Sequence, residues 1–216
     1  MAIEDDPVLS EAARPVSVTE PLEPAGREAK PSGLRNALEW VIIAGGALLM
    51  AFVIKTFLLQ AFYIPSLSMA PTLKVNDRVL VNKLSYDLHD VNRGDVVVFE
   101  SPPNEGSATK DLIKRVIGLP GETLEARDGR VLINGQALDE PYLERDVETR
   151  GPICQVETLP GCEGQGKVVV PADTYFVMGD NRSNSRDSRF IGVIPDSLII
   201  GRAFVRVWPV TALGLL

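Results

Sequence analysis

The pattern of hydrophobic and polar residues divides the chain into three parts. Residues 1–36 are rich in proline, acidic and small residues and have no apolar period that a helix or strand could bury, so we expect a disordered tail. Residues 37–60 are predominantly apolar, and the run from Leu38 to Leu59 has about the 20 residues that a membrane-crossing helix requires. Residues 61–216 alternate short apolar runs with turn residues, which is typical of a folded β-rich domain.

The apolar run predicts an uncleaved membrane anchor. A cleavable secretory signal also pairs basic residues with an apolar core, but its core is shorter and a polar leader of this length does not precede it. Arg27, Lys30 and Arg35 precede the run closely, which predicts a cytoplasmic amino end and an extracytoplasmic location for everything after the anchor.

The third part predicts a mostly antiparallel β-sheet or barrel. Its apolar runs are short and rich in β-branched residues, and no long amphipathic helix or internal repeat interrupts them. Turn dipeptides separate the runs, and Asp128-Gly129 and Asn134-Gly135 bracket a hairpin strand. The predicted strands are 78–83, 95–99, 112–117, 130–133, 167–170, 174–178 and 198–208.

Charge and cysteine content narrow the function. The formal net charge is −7 and no cluster of Lys and Arg is present, which argues against nucleic-acid binding. The two cysteines, Cys154 and Cys162, flank a turn and form either a short disulfide or a pair of free thiols; a disulfide would indicate an oxidising, extracytoplasmic setting. With only these and His89, a metal site lacks ligands.

Two serines directly after the anchor are candidate nucleophiles. Ser66 and Ser68 lie between Pro65 and Pro71, which stiffen the backbone. A serine hydroxyl needs a base to remove its proton. The single histidine, His89, lies in a polar stretch and is better explained as an exposed loop residue, so a lysine is the remaining type of base.

Lys114 is the candidate base because it lies inside an otherwise apolar strand. Alternation places Leu112, Lys114 and Val116 on one face and the neighbouring residues on the other. A lysine in such a strand usually points to solvent. If Lys114 is buried instead, desolvation disfavours its ammonium form and lowers its pKa enough for a neutral amine near neutral pH.

Residues 179–193 contain a dense set of Asn, Asp, Ser and Arg. This composition is compatible with a solvated loop. It is equally compatible with a hydrogen-bond network in which a serine orients an amine and an Asp-Arg pair braces the loop.

Taken in order, these segments resemble the signal peptidase I family. The resemblance covers about residues 62–193, and the segment from Gly179 to Arg189 is its most specific part. It implies an endoprotease that removes signal peptides from exported preproteins through a Ser/Lys acyl-enzyme mechanism, without a metal or cofactor. It also implies a single-pass protein of the bacterial plasma membrane, with membrane-tethered signal peptides and the lipid bilayer as partners.

The resemblance also implies roles for individual residues. Ser68 would be the nucleophile and Lys114 the general base, while the hydroxyl of Ser66 and the backbone N–H of Ser68 would form the oxyanion hole. Ser185 would orient the lysine. Supporting roles fall to Asp180, Asn181 and the ion pair of Asp187 with Arg189. The shallow pockets for small substrate residues would be formed by Phe62, Ile64, Leu73, Val79 and Ile113.

The chain departs from the family pattern in three places. Ser183 replaces an aspartate that many relatives carry, only one membrane span is visible, and residues 136–166 match no motif and are predicted only as an inserted β element. Two other functions remain open from the residues alone. One is a self-cleaving repressor-type Ser/Lys protease, which would carry no anchor, and the other is a membrane-tethered β domain that binds peptides without cutting them.

Overall fold

The amino-terminal part of the described chain is a helix. The computed structural model describes residues 33–103, 110–155, 162 and 166–216. Helix α1 spans Gly33–Val53, and a π-helical turn follows at Ile54–Leu58. Among the described residues, one helical segment, Arg35–Val53, is long and apolar enough to cross a membrane, with a mean hydropathy of 1.8 and no buried part.

The helix boundaries differ from the predicted segment boundaries. Residues 33–36, predicted as part of a disordered tail, belong to α1, because a nucleated helix extends through polar residues such as Arg35 and Asn36. The rest of the predicted tail lies outside the described residues. At the other end, Leu59 and Gln60 leave the predicted anchor and pair with Asn82 and Val81 in a sheet.

Over the described residues after α1 and its π-helical turn, there are twelve strands and two short α-helices. The described chain divides into two compact units, residues 33–45 and Gly46–Leu216. The elements of the second unit are β1 Leu59–Tyr63, β2 Arg78–Asn82, α2 Ser85–Leu88, β3 Val96–Glu100, β4 Asp111–Gly118, β5 Thr123–Arg127, β6 Arg130–Ile133, β7 Gln136–Ala137, β8 Val168–Val169, β9 Thr174–Met178, α3 Ser188–Ile191, β10 Ile194–Pro195, β11 Ile199–Trp208 and β12 Gly214–Leu215.

The strands form two antiparallel sheets. The larger one has the order β1-β2-β11-β3-β4-β9-β10, with β12 added beside β11, and the smaller one has the order β7-β6-β5-β8. Every pairing is antiparallel. The prediction of a mostly β fold with antiparallel sheets is therefore confirmed.

Burial along the strands explains where the core lies. In β2, exposed Arg78 is followed by Val79 and Val81, which are fully buried, so one face points inward. In β3 the run from Val96 to Phe99 is buried on both faces, because Val96 and Val98 pack into one hydrophobic cluster and Val97 and Phe99 pack into another. The same holds for β4, where all residues from Ile113 to Gly118 are buried. The strand that carries Lys114 therefore has no solvent face over that stretch.

The region without a recognised motif packs against the core. Its described part, residues 136–155, 162 and 166, contains the short strand β7 and an isolated β-bridge between Cys162 and Val168 and is otherwise irregular, so the predicted inserted β element is small. Ile153 is fully buried, and Leu138 and Tyr142 pack on the same hydrophobic cluster. This region is thus an integral part of the β-rich domain.

Candidate active site

The centre of the candidate site is a contact between a lysine and a serine that lie 46 positions apart. Lys114 Nζ lies 2.8 Å from Ser68 Oγ and 2.9 Å from the carbonyl oxygen of Ile113. Lys114 is 3% exposed and Ser68 is 9% exposed. A buried amine is thus held against a buried hydroxyl, which is the arrangement that base-assisted nucleophilic attack requires.

Ser68 is held in place by a tightly bonded turn between β1 and β2. The backbone N–H of Ile64 donates to Asp77, and that of Leu73 donates to Met69, whose side chain is fully buried. From the other side, the backbone N–H of Asn181 donates to the carbonyl oxygen of Ser68 at 3.1 Å. These bonds fix the backbone on both sides of the serine.

The side chain of Asn181 also forms a hydrogen bond to this turn. Its amide Nδ2 donates to the carbonyl oxygen of Leu67 at 3.1 Å. Ser183, which replaces the family aspartate, is exposed and its hydroxyl donates to Asn181 Oδ1 at 3.2 Å. The loop after β9 therefore contacts the turn that carries Ser68 mainly through Asn181.

Ser66 lies next to the contact between Lys114 and Ser68. Its side chain is exposed, and its hydroxyl donates to Ser68 Oγ at 3.3 Å. Rotation about its side-chain bond is enough to redirect the hydroxyl, because Ser66 is not enclosed by the core.

Ser185 does not form the hydrogen bond to Lys114 that was expected from the sequence. Its Oγ is buried, and within the part of the chain that the structure describes it has no hydrogen-bond partner, so it does not bond Lys114 here. The hydroxyl lies beside Gly179, where an added Cβ atom would overlap it. Ser185 also lines an open cavity of about 710 Å³ beside the loop.

Asp187 and Arg189 form a buried bidentate ion pair. Arg189 Nε lies 2.8 Å from Asp187 Oδ1, and Arg189 Nη2 lies 2.9 Å from Oδ2. Asp187 also accepts the backbone N–H of Gly179 at 3.0 Å and caps helix α3. The pair thus joins the start of the loop to its end, as a brace would.

Asp180 pairs with Arg115, a residue that the sequence prediction did not single out. The guanidinium donates to both carboxylate oxygens of Asp180 at 2.9 and 2.7 Å, and Thr72 donates to Asp180 as well. Arg115 follows Lys114 directly in β4. The signal that could have identified it was an arginine within an apolar strand, which needs a buried acidic partner.

A second buried arginine, Arg182, was also missed. Its side chain is fully buried and pairs with Glu140, in the region to which no motif could be assigned. Sequence spacing gives no indication of this contact because 42 positions separate the two residues.

The five predicted pocket residues lie together. Ile64, Leu73, Val79 and Ile113 belong to one buried hydrophobic cluster, and the half-buried Phe62 packs against it. Leu73 and Val79 are fully buried, whereas Ile113 is 9% exposed. Of the five residues, only Phe62 is half-buried; the other four are buried.

The two cysteines are joined. Cys154 and Cys162 form a disulfide with a Cα–Cα distance of 5.9 Å. The N–H of the next residue, Gln155, donates to the carbonyl oxygen of Arg189 at 3.0 Å, which connects the disulfide to α3. Over the described ranges, no three His, Cys, Asp or Glu side chains are grouped as a metal site would need. His89 is exposed and bonds the carbonyl oxygen of Asp90.

Comparison with known proteins identifies the family. The family described as "Signal peptidase, peptidase S26" matches residues 37–208. The chain is 43% identical over 211 residues to a signal peptidase I of Leptolyngbya laminosa, covering 95% of each chain. It is 44% identical over 174 residues to a probable signal peptidase I-2 of Synechocystis sp., covering 79% of this chain and 72% of that relative.

One solved structure is also similar in sequence. A signal peptidase I from Enterococcus faecalis V583 is 38% identical, with a TM-score of 0.42, and the match covers 53% of this chain and 97% of that one.

These matches define the class as a serine endopeptidase. The chain belongs to the signal peptidase family, peptidase S26, and within it to the type I enzymes that remove signal peptides. The expected family and enzyme class are confirmed, and the two alternatives, a self-cleaving repressor and a non-enzymatic peptide-binding domain, are set aside.

Proposed function

We propose that this signal peptidase cleaves through Ser68 as nucleophile and Lys114 as general base. The observation that supports this assignment best is the 2.8 Å contact between Lys114 Nζ and Ser68 Oγ in a site from which both side chains are nearly withdrawn from water.

The proposal requires a neutral amine. Burial disfavours the charged form of a lysine, and one N–H of a neutral amine can donate to the carbonyl oxygen of Ile113 while the lone pair faces Ser68 Oγ. The mechanism therefore requires a Lys114 pKa below that of a free lysine. Activity therefore rises as pH rises through this pKa, since only the deprotonated form accepts the serine proton.

The reaction is an acyl transfer. Lys114 takes the proton of Ser68, the serine oxygen attacks the scissile carbonyl, and the lysine then gives the proton to the leaving amine. The Ser68 N–H and the Ser66 hydroxyl, once rotated, stabilise the oxyanion, each donor contributing about 3 kcal/mol. Water activated by Lys114 then releases the acyl-enzyme. Ser185 orients the lysine after a similar rotation toward it.

The substrate binds as an added strand. Within the described residues, β1 pairs on one side only, with β2, and the first half of β4 pairs only with β3 because β9 joins at Arg115. Free backbone groups there bind a peptide without demanding a sequence. Phe62 and Ile113 sit on the adjoining cluster, which limits the size of the side chains before the cut.

The helix provides the membrane anchor. We assign residues 1–36 to the cytoplasm, residues 37–60 to the anchor and residues 61–216 to the outer face of the bacterial plasma membrane, in a single-pass arrangement. The exposed apolar surface of α1 and the basic residues before it support this topology. A protease added to intact spheroplasts is expected to digest the β-rich domain; digestion only in inverted vesicles would reverse the orientation.

The dyad is tested by substitution in the full-length enzyme. Ser68→Ala and Lys114→Ala are each expected to abolish cleavage of a purified preprotein, whereas the matched control Ser197→Ala, at an exposed serine, retains it. Full activity in either dyad variant contradicts the mechanism. Circular dichroism of each variant verifies that the fold is retained.

A further inference from the structure

The region without a family motif contacts the candidate site through a buried arginine. Arg182 Nη1 donates to Thr149 Oγ1 at 2.6 Å and to Glu140 Oε2 at 3.1 Å, and its Nη2 pairs with Glu140 Oε1. Burial acts to lower the pKa of Arg182, but the hydrogen bond and charge of Glu140 outweigh it and raise the pKa. The guanidinium therefore stays charged, and Glu140 is its counter-ion.

Arg182 transmits this contact to the nucleophile. Its Nε donates to the carbonyl oxygen of Gly179 at 3.2 Å. Gly179 lies against the backbone carbonyl of Ser68 so closely that an added Cβ would overlap it. Two residues on, the N–H of Asn181 donates to the same Ser68 carbonyl. The position of Arg182 thus determines where the loop contacts the Ser68 backbone.

The same region also contacts the strand that carries the base. The guanidinium carbon of Arg115 lies 4.1 Å from the ring centroid of Tyr142, a cation–π contact. Arg115 follows Lys114 in β4, and its Nη1 donates to the carbonyl oxygen of Gly94 at 2.8 Å. Tyr142 therefore packs on the residue next to the base.

Glu140 and Tyr142 are joined to each other. The Tyr142 hydroxyl donates to Glu140 Oε1 at 2.7 Å. Burial and the neighbouring Glu140 carboxylate raise the pKa of Tyr142, so the hydroxyl keeps its proton throughout the working pH range. This hydrogen bond connects two contacts: the pair of Glu140 with Arg182, and the packing of Tyr142 on Arg115.

We infer that Glu140 and Tyr142 are positioning residues that hold the Ser68 backbone and the Lys114 strand at the distance that the dyad requires. This inference rests on the proposed Ser/Lys mechanism and adds to it a role for the region around residues 140–149. Neither residue touches Ser68 or Lys114 directly in the described contacts; both act through Arg182 and Arg115. A displacement of 1 Å in a reacting group lowers the rate by about 100-fold.

The decisive variant is Glu140→Gln, which preserves shape and removes the charge opposite Arg182. We expect kcat for preprotein cleavage to fall about 10- to 100-fold while KM changes less than about threefold, because the pair positions the dyad and does not form the substrate pocket. The matched control is Asp139→Asn, the same change at the exposed preceding residue. It is expected to leave both constants at the parent values.

A milder variant covers the case in which Glu140→Gln does not fold. Tyr142→Phe keeps the ring over Arg115 and loses only the hydroxyl contact to Glu140, so a fall in kcat of about three- to tenfold is expected, with KM unchanged. All assays are run on the full chain in detergent, well below the melting temperature of each variant. A purely structural role would lower the melting temperature and leave kcat unchanged.

Two results separate the inference from the mechanism. If Ser68→Ala is inactive while Glu140→Gln and Tyr142→Phe keep kcat within twofold of the parent, the positioning role is overturned and the dyad stands. If Ser68→Ala remains active, the proposed dyad is wrong and the positioning role is refuted as well.

Discussion

Replacing Lys114 by methionine tests the central contact with the least disturbance of the fold. Methionine has nearly the length of the lysine stem, and residues on both sides of position 114 in β4 are buried. The change removes the amine that lies 2.8 Å from Ser68 Oγ and leaves an apolar chain in its place. The nucleophile stays present but loses its base.

The size of the effect follows from the two proton transfers that the proposed mechanism assigns to Lys114. A positioned acid or base contributes typically about 10²- to 10⁴-fold, and here one residue serves both steps, so we expect the upper figure. A fall of about 10⁴ in kcat corresponds to about 5 kcal/mol of lost transition-state stabilisation.

The free energy of unfolding should change far less than the activation free energy. The variant loses the hydrogen bonds to Ser68 and Ile113, each with a net contribution of about 1 kcal/mol. It also removes the cost of burying an amine, which acts in the opposite direction. The free energy of unfolding is therefore expected to change by no more than about 2 kcal/mol.

The assay is single-turnover cleavage of a preprotein by full-length enzyme in detergent, with urea unfolding measured in parallel. Lys110→Met serves as the matched control, since Lys110 is exposed just before the same strand. A Lys114→Met enzyme whose kcat lies within tenfold of the parent would refute the reasoning. A folded, inactive enzyme next to an active control supports it.

Three further substitutions probe the loop and the oxyanion site. Asp187→Asn leaves Arg189 buried without its counter-charge and should lower the free energy of unfolding by about 3–5 kcal/mol in urea titration; an unchanged midpoint contradicts a structural ion pair. Gly179→Ala inserts a methyl group against the Ser68 carbonyl and should reduce kcat about 100-fold, so a parent-like kcat would show that the loop yields freely. Ser66→Ala should reduce kcat by about 10²- to 10³-fold at constant KM; parent-like kcat excludes its hydroxyl from the oxyanion hole.

Much of the fold was predictable because local pattern determines it. The apolar runs with β-branched residues predicted β2, β3, β4, β9 and β11 of the large sheet, and the Gly-containing turns predicted β6 as a hairpin strand, whereas β1, β5, β7, β10 and β12 were not predicted. The predicted boundaries of the membrane segment were less accurate. The end of a helix depends on where the backbone can pair with a strand instead, and Leu59 pairs with Asn82 of β2.

The candidate site was predictable only where residue type and order are informative. An isolated lysine in an apolar strand stands out, and so does a serine between prolines. The rotation of the Ser185 hydroxyl toward Gly179 was not foreseen, since side-chain orientation follows from packing that sequence does not record.

The sequence by itself determined the family and the β-rich architecture and pointed to Ser68 and Lys114 as the candidate reacting groups, because strand periodicity and local composition are properties of neighbouring residues. Only the tertiary structure decided that Lys114 is buried and that Glu140 is the counter-ion of Arg182. Burial and ion pairing involve positions that are far apart in the chain. The free energy of such contacts depends on how completely the folded protein excludes water from them.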